Sequence, residues 1–189
     1  MSKNEFLGDR KKALENEFFV KENARLLEKL RQEKLRVAAK EELAEASGIR
    51  DEALLDHLLD LEIGPDTWTA LSLVPLVEIA WADGHLDERE RGAILQAAAN
   101  TGVRPGRASY ERLESWLERR PEPALLEAWG EYVIGIAARL DIDGKSLLRD
   151  EIVGGARRVA EAAGGMLGMG SKISAAEQAI LDRLAKAFD

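Results

Sequence analysis

Three of the four carboxylates in Asp83-Gly84-His85-Leu86-Asp87-Glu88-Arg89-Glu90, those of Asp83, Asp87 and Glu90, are placed around its one glycine. Asp83, Asp87 and Glu90 could together offer oxygen ligands to a hard divalent cation, Ca²⁺ or Mg²⁺. The twelve-residue calcium loop of EF-hands does not fit. Counted from Asp83, its glycine position holds Glu88 and its closing-glutamate position holds Ile94; counted from Asp141, Gly144 comes early and Ile152 closes. The same residues carry a simpler reading. Asp87-x-x-Glu90 is a capping box, in which two side chains satisfy the orphan N–H groups at a helix start, and losing such a cap costs ~1 kcal/mol. Ser174-x-x-Glu177 repeats that box about ninety residues later, without an Asp-Gly before it: Gly170 and Ser171 stand in those places.

Other chemistry lacks its residues. There is no Cys and no Gly-x-Ser-x-Gly, and the two histidines, His57 and His85, lie far apart, against a His-based metal site. Asp143-Gly-Lys-Ser146 resembles the end of a phosphate-binding loop, but Arg139 holds the upstream glycine position. Gly165 to Lys172 has Ser and Lys in the wrong order. Trp68, Trp81, Trp116 and Trp129 read as core or groove fillers. No catalytic residue set and no cofactor is expected.

The elements that would hold these residues are helical. From about Asn4 to Ala46 there is no Pro and one Gly, and Ala, Leu, Glu, Lys and Arg dominate, which predicts one long helix. Its apolar residues recur at mixed spacings of three and four, with Phe19 and Val20 breaking a strict seam. That pattern predicts a helix that docks rather than a sustained coiled coil. Gly48 should end it, a short helix should cover Asp51 to Leu61, and Gly64-Pro65-Asp66 should punctuate the chain. Beyond it, Ser72 is expected to cap a helix from Leu73 to Ala82 that takes Pro75 in its first turn. Further helices are expected over Glu88–Asn100, Ser109–Arg119, the stretch from Pro123 to Leu140, Ser146–Ala163 after a turn at Asp143-Gly144, and from Ser174 onward, with a loop over Gly164–Gly170. No stretch alternates with period two. The fold class is all-α, with an arm over 1–46, a short helix and linker over 47–66, and a helical domain over 67–189.

With 189 residues, 46% hydrophobic and 33% charged, the chain can fill a core. The absence of Cys fits a reducing compartment. The longest apolar run, Ala70 to Ala82, is interrupted by Ser72, Pro75 and Glu78, short of the ~20 residues a membrane span needs. No signal-peptide core follows Met1, so a soluble cytoplasmic protein is expected. Residues 1–46 hold eleven Lys/Arg against ten Asp/Glu, whereas the remainder holds sixteen against twenty-five. An acidic body repels phosphate backbones and argues against nucleic-acid binding.

The run Ala80-Trp81-Ala82-Asp83-Gly84-His85-Leu86-Asp87-x-x-Glu90, with Ile173-Ser174-x-x-Glu177 as a second joint, resembles the signature of the TerB-like (tellurite-resistance) superfamily. The resemblance covers about Thr67 to Phe188. It implies a helical bundle of two related halves with an acidic patch, non-catalytic, with Asp83, Asp87 and Glu90 as its cation-binding residues, in a module used in stress responses and beside other domains. Separately, Arg10-x-x-Ala13-x-Glu15-x-x-Phe18, with Phe19, Glu22 and Arg25, is similar to the inhibitory helix of rotary ATP synthase inhibitors, the mitochondrial inhibitor and the bacterial zeta subunit. That likeness implies a partner-binding helix over residues 8–30, with the two phenylalanines wedged between subunits. The plainer alternatives are that the arm packs on its own bundle or pairs with another copy. A protein partner, bound through this helix, is the expectation.

Overall fold

The computed structural model describes the backbone of residues 3–163 and 173–188, and side chains within those ranges from Phe18 onward, Ala163 excepted. Among the described residues the chain is helical, with no strand. α1 runs Lys3–Ser47, α2 Glu52–Asp60, α3 Val74–Ala80, α4 Glu88–Asn100, α5 Ala108–Glu118, α6 Pro123–Ala137, α7 Ile142–Ala163 and α8 Ala175–Lys186, and a 3-10 turn over Trp68–Leu73 feeds α3. No described helix is long and apolar enough to cross a membrane.

The chain forms two units, Met1–Glu41 and Glu42–Asp189. The first is the helical arm. The second, the body, begins well before position 67, where the sequence pattern put it. Leu43, in the last turns of α1, is fully buried, and Ile49, Leu54, Leu55, Leu58 and Ile63 join the same core. The stretch 47–66, expected as a short helix and linker, holds that helix as α2 and contributes these apolar residues to the core. α2 has one strongly apolar face, and its cap is Asp51, whose side chain accepts the N–H groups of Ala53 and Leu54. Gly48 takes φ +73°, a left-handed turn that a side chain resists, and its N–H reaches the Ala44 carbonyl at 3.0 Å to close α1.

The centre of the body is α7, which packs against α3, α4 and α8, with α3 also touching α6 and α8. α3 is buried on all sides, Val74 to Ala80, which its near-continuous apolar sequence requires. Pro75 sits in its first turn, as expected, but Ser72 does not cap it. The Ser72 hydroxyl donates to the Thr69 carbonyl at 2.8 Å, and the preceding 3-10 turn leads straight into the helix. α7 also begins earlier than the Asp143-Gly144 dipeptide suggested. Asp141 accepts the Gly144 N–H at 2.8 Å, and this local cap turns the dipeptide into the helix's first turn. The expected loop over Gly164–Gly170 lies outside the described residues.

Candidate functional site

The joint between α3 and α4 is built by side chains bonding to backbone. Asp83 accepts the N–H of His85 at 2.9 Å, which closes the turn, and Gly84 beside it takes φ +90°. Asp87 then accepts the N–H groups of Arg89 and Glu90, each at 2.8 Å, while Glu90 accepts the N–H of Asp87 at 2.9 Å. The box is complete. At the start of α8, Ser174 accepts the Glu177 N–H at 3.2 Å and Glu177 accepts the Ser174 N–H, giving a second complete box. The residues preceding it, Gly170 and Ser171, lie outside the described residues.

The two boxes share one interior. Glu90 and Glu177 are both buried, and the charge of Glu177 acts on Glu90. Burial pushes the Glu90 carboxyl up to about 7; the Asp87 N–H bond pulls it back, and the neighbouring charges of Asp87, Asp83 and Glu177 raise it further. Glu78 is a third buried carboxylate, on α3. Burial raises its pKa too, opposed by the guanidinium groups of Arg120, 4.0 Å away, and Arg183 on α8. Glu78 escapes sequence reasoning as anything but an interruption, yet a Glu inside the most apolar run of the chain is the signal that marks it.

Each carboxylate expected to bind a cation thus has an oxygen committed to a backbone N–H. Among the described residues no group of three or more His, Cys, Asp or Glu side chains is arranged to hold a metal ion. Asp83 and Asp87 are exposed, Glu90 is 6% exposed, and the charges of the two aspartates act on Glu90 within a turn and a cap. His85 is exposed, as expected of a loop residue, and His57 lies 3.6 Å from Glu131 on α6.

Among the concavities of the body, two adjoin Tyr132. One, of about 380 Å³, is lined by Pro75, Leu76, Trp129, Tyr132, Ile136 and Ile152, with Glu151 and Arg158 among its polar residues. The other, of about 320 Å³, lies between the Ser47–Leu54 segment and α6, and Arg50 and Arg139 border it. Tyr132 lines both, and burial pushes its phenol up. Trp81, read as a groove filler, donates its indole N–H to the Trp116 carbonyl at 2.9 Å.

The arm differs in kind. Of the expected partner-binding residues, Phe18 and Phe19 are 64% and 61% exposed, their rings meeting edge-on with centroids 6.0 Å apart. Arg25 pairs with Glu22 at 2.7 Å, one turn of helix away. Arg10, Ala13 and Glu15 lie on the helical backbone of α1, and their side chains fall outside the described residues. Beyond the phenylalanines, Val20, Leu26, Leu27, Leu30, Leu35 and Val37 are all exposed.

The chain matches no protein-family model, no curated protein and no solved structure.

Proposed function

We propose that the chain is a non-enzymatic, TerB-like helical adaptor that engages another protein through its N-terminal helix. One observation carries the reading: eight large apolar side chains between Phe18 and Val37 stand in solvent on a single helix. Scattered exposed apolar residues are ordinary, but this many on one element mark a surface kept for a partner. Four of them, Phe19, Leu26, Leu30 and Val37, share one side of the helix, the presentation by which helices enter grooves. The body supplies the folded anchor, and the TerB-like resemblance of Ala80–Glu90 and of Ile173–Glu177 supports an interaction module of two related halves rather than an enzyme. No cation is needed for this role.

The test is affinity capture from cell extract with tagged full-length protein, side by side with Leu26→Glu/Leu30→Glu. Both residues favour helix, so the variant keeps its backbone while losing apolar surface. A stoichiometric protein retained by the wild type and lost by the variant is the expected result; identical capture by both overturns the reading.

Phe18 and Phe19, adjacent and outward, also suit a wedge in a rotary ATP synthase. Full-length protein added to the isolated enzyme separates the two readings. Slowed ATP hydrolysis that Phe18→Ala relieves would replace the adaptor with an inhibitor.

A further inference from the structure

We infer that the partner of the arm is a second copy of the same arm, running antiparallel over residues 19–37. This rests on the reading of the arm as a protein-binding helix and names its occupant. Phe19, Leu26, Leu30 and Val37 follow spacings of seven, four and seven, which return to nearly the same helix face. All four are exposed, the least so Leu26 at 47%. Asn23 and Glu33 complete the stripe, at the intervening heptad positions. The stripe spans about 27 Å of helix at 1.5 Å per residue.

The two polar residues decide the direction. In a parallel, in-register pair each residue meets itself, so Glu33 would face Glu33 inside the seam and Lys40 would face Lys40, like charges brought together at a desolvated position. Reversing the second copy about a twofold at Glu28 changes every partner. Phe19 then meets Val37 of the second copy, Leu26 meets Leu30, and Asn23 meets Glu33, an amide donor against a carboxylate acceptor. Apolar layers lie on apolar layers and polar on polar. On the flanks, Glu22 comes opposite Arg36 of the second copy and Leu27 packs on Leu27; Lys29 is the one charged residue that faces its own kind, at a solvated edge. One register thus satisfies the seam and two symmetry-related flanking charge pairs together, and polar layers of this sort fix orientation in paired helices. Of the two residues that break a strict seam, Phe19 belongs to this stripe, while Val20, like Phe18, falls to its side and does not interrupt it.

The chain has no Cys, so introduced thiols report their neighbours without background. Full-length protein is expected to rise from 20.8 kDa toward twice that mass by light scattering as its concentration increases. Leu26→Glu/Leu30→Glu should stay at the monomer mass with unchanged helical circular dichroism. When Phe19→Cys and Val37→Cys chains are mixed and oxidised, the disulfide should join one to the other, because only the antiparallel register brings those positions within bridging distance. Bridges of each variant to itself would overturn the inference, as would a wild type that stays monomeric at every concentration. In that last case, capture of a different protein that needs Leu26 and Leu30 leaves the adaptor reading standing, whereas capture indifferent to them removes both.

Discussion

Asp87 and Glu90 cap one another: the Asp87 carboxylate accepts the backbone N–H of Glu90 at 2.8 Å, and the Glu90 carboxylate accepts that of Asp87 at 2.9 Å. This reciprocity holds a glutamate in the interior, where its charge is disfavoured, because the geometry of the helix start needs its oxygen. The local contact wins over the cost of burial, and a titration follows from it.

Glu90 has an ordinary carboxyl pKa of 4.5 when unfolded and about 7 in the folded protein. Between those values the folded state holds a proton that the unfolded state has released, so the contribution of this group to stability falls as pH rises. At pH 4 it contributes no penalty; by pH 8 the penalty is complete, up to about 3 kcal/mol. Glu90→Gln keeps an acceptor for the Asp87 N–H and removes the charge. Urea unfolding across that range is expected to show the wild type losing stability relative to Glu90→Gln as pH rises, and a difference independent of pH would refute the assignment.

Asp87→Ala removes the acceptor for two N–H groups at the start of α4 and is expected to cost about 1 kcal/mol; Ser174→Ala should cost a similar amount at α8. Thermal unfolding of the two variants and their double tests this. Because the two boxes share an interior through Glu90 and Glu177, the double should depart from the sum of the singles.

Millimolar Ca²⁺ or Mg²⁺ is expected to leave the melting temperature unchanged. One oxygen of each of Asp83, Asp87 and Glu90 already bonds to backbone, and among the described residues no three such side chains converge to hold a cation. A rise in melting temperature that vanishes in Asp83→Ala would show the turn opening to ligate.

Leu43→Ala should destabilise the body by about 2–5 kcal/mol, since its side chain is fully buried. Leu27→Ala, sixteen residues earlier on the same helix and 67% exposed, should stay within about 0.5 kcal/mol at dilutions where the chain is monomeric. Equal effects would contradict the placement of the boundary at Glu41.

The helices were legible because their period is written in spacing: α4 matches its expected limits, Glu88–Asn100, and both capping boxes are local four-residue patterns. What the pattern could not give was which of several competing partners, local or distant, each group takes. The Ser72 hydroxyl donates to the Thr69 carbonyl instead of accepting an N–H of α3, and Asp141 captured a start that the Asp-Gly dipeptide seemed to forbid. The inclusion of residues 42–66 in the body depends on which apolar faces meet, which no window of sequence reports. Glu78 illustrates the same gap. Its type was visible, while its burial near Arg120 and Arg183 depends on residues forty and a hundred positions away.

All four tryptophans lie beyond Glu41, two of them buried, and the arm has none. Intrinsic fluorescence therefore reads the body alone, while far-ultraviolet ellipticity sums over both units. The two signals will part company wherever the arm melts separately, which makes a pair of routine optical probes sufficient to follow each half of the chain without a label.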